Sequence, residues 1–279
     1  MILRAPITRI LAMFVFGCVL SVAMFTNVQA ADREKLTAFL NVTGFDVSLD
    51  SIALSAAQAP MMLGMSEGDF GADWSRTAED VFAQKNLRGM AIDILEQTLT
   101  DDLLTHAAEF YASPLGQKLV EVENASHMFA DDEAKRTEGE KVLAGTSDER
   151  AALLARMVDG VNTSGVAVRA VQEIQVRFLM AASNAGVFDF EIDEQMLRGQ
   201  LKESEEELRD NLRTSGLIGS AYTYQDISDQ DLERYVVALE EPEMQRVYEL
   251  LNAVQYEVMA NRFEVLAGRM AEMHPGQEL

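Results

Sequence analysis

The chain has 279 residues, 48% hydrophobic and 25% charged, a composition that provides for a real apolar core and excludes a wholly disordered protein. Its 46 acidic residues against 23 basic ones give a formal net charge of −23, which repels phosphate backbones and anionic lipid and argues against nucleic-acid binding. One cysteine, Cys18, excludes an internal disulfide, so packing alone must hold the fold.

Residues 1–30 have the pattern of a signal peptide. Arg4 and Arg9 form a basic leader, Leu11 to Phe25 is almost continuously apolar, and Val28-Gln29-Ala30 supplies the small residues of a cleavage site. Cleavage is expected before Ala31, giving a periplasmic protein. The apolar run falls short of the roughly 20 residues a membrane-spanning helix needs, so no membrane span is expected after cleavage. Phe16 and the apolar residues Val19, Leu20 and Val22 around Cys18 argue against a lipoprotein acceptor site. Loss of Arg4 and Arg9, with no acidic residue among the first 30, takes the net charge from −23 to −25. Cys18 leaves with the leader, which excludes thiol catalysis and cysteine-ligated metal in the mature chain.

From Ala31 onward the apolar residues recur with helical spacing, and no run of alternating β-branched residues interrupts them. Leu36, Phe39 and Leu40 predict a short helix ended at Thr43-Gly44, followed by a second over roughly Ser48 to Gln58 that Pro60 disturbs. A glycine-containing loop spans Gly64 to Gly71. Ser75 is a candidate cap for a helix carrying Val81, Leu87, Met90 and Ile94 on one side, with the lone Trp74 expected as core filler.

Thr100 then caps a helix with Asp101 and Asp102 in its first turn, where the helix dipole favours negative charge. Leu104, Ala107, Ala108 and Tyr111 form one apolar stripe. Ser113-Pro114 restarts a helix, and Gly116, one turn in, gives up helix propensity in a way that suits close approach to a neighbouring helix.

This stretch recurs 128 residues later without a gap. Thr100 corresponds to Ser228, Leu104 to Leu232, Ala108 to Val236, Tyr111 to Leu239, Pro114 to Pro242, Gln117 to Gln245, Lys118 to Arg246 and Asn124 to Asn252. The earlier part of each half matches at an offset near 118, with Leu36, Phe39 and Leu40 against Leu154, Met157 and Val158. An insertion in the charged stretch Lys202 to Arg213 accounts for the difference. The expected organisation is therefore a signal peptide at 1–30, helical repeat one at 31–145 and helical repeat two at 146–279, with the boundary at Gly145 to Asp148. The fold class is all-α: two tandem degenerate helical repeats packed as one bundle-like body. A long last helix, roughly Pro242 to Met273, carries Val247, Leu251, Val254 and Val258 on one stripe and Phe263, Leu266 and Met270 beyond.

The segment Glu109-Phe110-Tyr111-Ala112-Ser113-Pro114-Leu115-Gly116-Gln117-Lys118 resembles the signature of the bacterial exported family catalogued as domain of unknown function 2059. That resemblance implies an all-helical periplasmic protein and supplies no reaction. Phe110, Tyr111, Ser113, Pro114, Gly116 and Gln117 are accordingly the candidate interaction motif. The second copy departs from it, with Ala238 and Leu239 in place of Phe110 and Tyr111, Glu241 in place of Ser113 and Met244 in place of Gly116.

Catalytic signals are sparse. His106, Glu109 and Tyr111 fall within two helical turns and offer imidazole, acid and phenol, but His106 and Glu109 sit on the polar side of the helix. His106, His127 and His274 are too scattered for a zinc signature. Asp189, Glu191 and Asp193 imitate the start of a calcium loop, yet Glu194 and Gln200 occupy the positions that need glycine and glutamate, so a helix cap is expected there. Glu203 to Arg213, with Glu205 and Arg209 at i, i+4, has the spacing of a solvated helix face. No cofactor and no metal is implied. These features favour a non-enzymatic periplasmic protein that binds an envelope protein or a hydrophobic ligand between helices. The alternative is a cell-envelope hydrolase using His106, Glu109 and Tyr111.

Overall fold

A computed structural model of the chain describes residues 32–273, apart from 57–58, 67–69, 71–72, 162–165 and 189. The signal segment, Asp189 and His274 lie outside the described residues. Within them the chain is all-α and has no β-strand. The helices are α1 (Arg33–Thr43), α2 (Phe45–Ala56), α3 (Ala59–Met62), α4 (Trp74–Val81), α5 (Gln84–Thr98), α6 (Asp101–Tyr111) and α7 (Pro114–His127). There follow α8 (Asp132–Ala144), α9 (Asp148–Val161), α10 (Val166–Asn184), α11 (Glu194–Glu203), α12 (Glu205–Thr223), α13 (Asp229–Leu239) and α14 (Pro242–Met273).

Local chemistry sets most of these boundaries. Gly44 ends α1 in the left-handed region at φ 70°, where a side chain would be strained. The same residue starts α2, because its carbonyl accepts from the Val47 and Ser48 amides at 3.0 and 3.1 Å. This helix therefore begins at Phe45 and not at the expected Ser48. The single helix expected after Trp74 is two. Phe82 and Ala83 leave helical geometry, and the Asn86 side-chain amide donates to the Asp80 carbonyl at 3.0 Å. Asp73, not Ser75, precedes the first helical residue, because Trp74 already belongs to α4 and is buried against Phe70.

The later caps match the expected residues. Thr100 accepts from the Leu103 amide, Ser113 from the Gly116 amide at 3.1 Å, and Ser228 from the Asp231 amide at 3.2 Å. Pro114 and Pro242 are each the first residue of their helix. Asp193 caps α11, its carboxylate accepting from the Met196 amide at 2.8 Å. Arg209 pairs with Glu205 at 2.7 Å on the exposed face of α12.

Packing follows the apolar stripes. α1 lies on α6 and α9 lies on α13; α2 lies on α5 and α7, while α10 runs along α14 and α8 along α12. Gly139 of α8 permits that last approach, since a methyl there would meet the Ile218 carbonyl oxygen at 2.5 Å. One continuous apolar cluster runs from Leu36 in α1 through Leu104, Ala107 and Tyr111 in α6 to Val247, Val254, Val258, Phe263, Leu266 and Met270 in α14. Burial of such side chains is worth about 1.5–3 kcal/mol each, so this shared core is what joins the two halves of the chain into one body. No helix among the described residues is long and apolar enough to cross a membrane.

Candidate functional site

The motif residues build a helix hairpin. Tyr111 is the last residue of α6, Ser113 caps α7, Pro114 begins it, and the Gln117 amide donates to the Ala112 carbonyl at 2.8 Å. Gly116 is buried against the preceding helix end: a methyl there would stand 2.3 Å from the Phe110 carbonyl oxygen and 2.4 Å from the Tyr111 Cα. Phe110 stacks on Tyr235 with ring centroids 5.9 Å apart and meets Tyr111 edge-on at 5.1 Å. Of the six residues, only Tyr111 carries a polar group into the interior.

The other two members of the suggested catalytic group have different neighbours. His106 Nε2 lies 3.3 Å from Glu241 Oε2, and Glu109 is exposed. The Tyr111 hydroxyl instead meets those of Tyr235 and Tyr248.

That meeting point is the centre of the structure's polar chemistry. Glu123 of α7 accepts on Oε1 from the Tyr224 hydroxyl at 2.6 Å and from the Tyr235 hydroxyl at 2.9 Å. Tyr235 and Tyr248 are 2.9 Å apart at their hydroxyls, Tyr111 and Tyr235 are 3.3 Å apart, and Tyr111 and Tyr248 are in close contact. A hydroxyl has one proton to donate. Since Tyr235 gives its proton to Glu123, it accepts from Tyr248, and Tyr248 in turn accepts from Tyr111. The second carboxylate oxygen, Glu123 Oε2, makes no hydrogen bond with any described residue.

Burial dominates the electrostatics. It raises the Glu123 carboxyl to about 7, against the smaller opposing effect of the hydrogen bonds from Tyr224 and Tyr235. Burial likewise pushes the phenols of Tyr111, Tyr224 and Tyr235 well above the ordinary tyrosine value, and that of Tyr248 upward. All four therefore stay neutral donors at any physiological pH.

The cluster forms part of the wall of a cavity of about 350 Å³. α7 contributes Glu123, Asn124, Ser126 and His127, and α14 contributes Tyr248, Leu251, Asn252 and Gln255. α1, α2 and the Gly44 turn add Thr43, Phe45 and Ser48, while α9 adds Met157, Val158 and Val161. α12 opens the space with Gly216, Gly219, Ser220 and Thr223; a methyl at Gly219 would meet no atom within 4 Å. Lys135 of α8 reaches the same cavity, its ammonium donating to the Ser126 carbonyl at 2.9 Å and lying 5.9 Å from the Tyr222 ring centroid. Partial burial lowers Lys135 below the usual lysine value, and packing around the imidazole, with the nearby Lys135 charge, lowers His127. No group of three or more His, Cys, Asp or Glu among the described residues is arranged to hold a metal ion.

Sequence reasoning singled out Tyr111 but missed Glu123, Tyr224, Tyr235 and Tyr248. A signal for Glu123 was present: Leu115 and Leu119 are buried, and the next positions of that stripe are Glu123 and Ser126. A carboxylate on the apolar side of an amphipathic helix points inward.

Fold and site together define an all-helical protein with a polar, tyrosine-lined cavity between helices of both halves. Residues 85–144, from α5 to the end of α8, match the family model described as "Uncharacterized protein conserved in bacteria (DUF2059)", and the chain resembles that family. The matched segment supplies Tyr111, Glu123 and Lys135; Tyr224, Tyr235 and Tyr248 lie beyond it. No curated protein and no solved structure matches the chain.

Proposed function

We propose that this is an exported, periplasmic, non-enzymatic binding protein, built from two diverged copies of one helical unit, whose ligand occupies the cavity beside Glu123. The observation that carries the binding role is the unused carboxylate oxygen, Glu123 Oε2, in a cavity whose roughly 350 Å³ lies within the range of small-molecule sites. A buried acid held by two hydroxyl donors costs stability that an apolar side chain would not. A binding role is a reason to keep it.

The duplication is supported by matched local structure. α6 and α13 are both 11 residues long with hydroxyl caps, each is followed by a proline-started helix, and α1 contacts α6 as α9 contacts α13. Glu123, Asn124 and His127 stand 128 positions before Leu251, Asn252 and Gln255, and all six line the cavity. The shared scaffold thus carries different chemistry in its two copies: the acid is present only in the first. Export is supported by the basic leader and apolar run of residues 1–30.

The test is native mass spectrometry of the full chain recovered from the periplasmic fraction of the bacterium that expresses it, beside a Gly219→Leu variant that fills the cavity from α12. The expected result is a small-molecule adduct on the wild type that the variant lacks, on a polypeptide beginning at Ala31. Absence of any adduct on the wild type overturns the binding role. A protein retaining residues 1–30, or found outside the periplasmic fraction, overturns the export assignment.

A further inference from the structure

We infer, building on the proposed cavity-binding role, that the ligand is a small zwitterion of the amino-acid type, with its ammonium seated on Glu123 Oε2 and its carboxylate on the Lys135 ammonium. Three observations point to it. First, the cavity has two poles of opposite charge that do not neutralise each other. Glu123 is bonded only to tyrosine hydroxyls, and Lys135, in a chain with twice as many acids as bases, makes no ion pair with any described residue. Its one hydrogen bond, to the Ser126 carbonyl, leaves further N–H donors for an anion.

Second, both poles belong to one cavity, whose roughly 350 Å³ limits the guest to a small molecule. Third, Phe45, Met157, Val161 and Leu251 give the cavity an apolar wall against which a hydrocarbon side chain can pack. A cation without a carboxylate would leave Lys135 unpaired, and an anion without an ammonium would face the Glu123 carboxylate.

The near-neutral titration of Glu123 agrees with this arrangement, because an ammonium on Oε2 supplies the charge that the tyrosines alone offset only in part. Tyr111, Tyr235 and Tyr248 surround the carboxylate from α6, α13 and α14 and Tyr224 from the end of α12; all four are neutral, so the hydroxyls bonded to Glu123 leave its charge for the ligand's ammonium.

Saturation-transfer NMR on the full chain, with each of the common L-amino acids at millimolar concentration followed by calorimetry on the best, provides the test. The expected result is binding of at least one amino acid with an apolar side chain. Charge-assisted hydrogen bonds of this kind predict a loss of about ten-fold or more in Glu123→Gln and in Lys135→Met, with circular dichroism confirming that both variants are folded. The N-acetylated amino acid and the corresponding decarboxylated amine should bind more weakly than the parent. Equal binding of either derivative, or no amino acid bound, overturns the zwitterion assignment. In that event a non-zwitterionic adduct in the native mass spectrum leaves the cavity-binding role standing, and the absence of any adduct removes both.

Discussion

Tyr235 gives its hydroxyl to Glu123 across 2.9 Å from a position 112 residues away in the chain, and so ties α13 to α7 inside the packed body. The bond joins the second half of the chain to the one carboxylate among the described residues that line the cavity, and it ties protonation of that group to the stability of the whole body.

Stability should fall as pH rises through the range set by Glu123. Its folded value of about 7 lies above the ordinary glutamate value of 4.5, so between these limits the folded state holds a proton that the unfolded state has released. The contribution is fully present below about 4.5, is lost progressively up to about 7, and is constant above. A shift of this size corresponds to roughly 3–4 kcal/mol at most, by the conversion of 1.36 kcal/mol per unit. Urea unfolding of the wild type and Glu123→Gln between pH 4.5 and 8 checks it: the variant should gain on the wild type as pH rises. A constant difference across the range would refute the assignment.

Removing a hydroxyl that serves Glu123 should raise its titration further. Tyr224→Phe and Tyr235→Phe each take away a hydrogen bond that favours the charged carboxylate. Each is expected to move the carboxyl upward by about one unit, since a hydrogen bond to a charged group is worth about 1.5–3 kcal/mol. Carboxyl-carbon NMR of glutamate-labelled protein reads the shift directly. A downward movement would show that the hydroxyls do not donate to this group.

Gly116→Ala should destabilise strongly because the new methyl meets backbone, which cannot rotate away: the Phe110 carbonyl oxygen at 2.3 Å and the Tyr111 Cα at 2.4 Å. A loss of about 3 kcal/mol is expected, at the upper end for overpacking. Gly216→Ala is the control, since there the methyl meets only the Val158 side chain at 3.2 Å and helix propensity improves. Thermal unfolding should separate the two by several degrees, and equal midpoints would refute the close-approach account of Gly116.

Arg150 holds the turn that presents Tyr224. Its guanidinium, mostly buried, donates to the Tyr224 and Ile227 carbonyls at 2.7 and 2.9 Å and pairs with Asp229. Arg150→Met removes the donor to the Ile227 carbonyl, leaves the Tyr224 carbonyl with only the Ile227 amide at 2.9 Å, and should cost about 2 kcal/mol. Amide hydrogen exchange should accelerate in the 224–229 turn more than in α7. Unchanged exchange there would show that the turn is held by its own backbone.

The elements were legible because their signals are local. Thr100, Ser113, Ser228, Pro114, Pro242 and Gly44 each act on neighbours within four residues, and the stripe of α14 from Val247 to Met270 repeats often enough to survive its polar interruptions. The break at Phe82-Ala83 was not legible, since neither residue is a helix breaker and the capping amide of Asn86 lies downstream of it. The site was least legible. Its carboxylate and four phenols come from α6, α7, the turn after α12, α13 and α14, and only the tertiary packing brings them together. Tyr235 and Tyr248 look like core aromatics in sequence because most of each side chain is one; only the oxygen at the tip is polar, that of Tyr235 committed to Glu123 and that of Tyr248 to Tyr235.

The order Tyr111, Tyr248, Tyr235, Glu123 has a direction, because each hydroxyl has already spent its one proton on the next group. No member can turn round alone without setting two protons or two lone pairs against each other. With Glu123 charged, its free oxygen thus offers a guest lone pairs and no hydrogen. Protonating Glu123 on its free oxygen reverses that offer in one step, so a single proton decides whether this corner of the protein answers to donors or to acceptors.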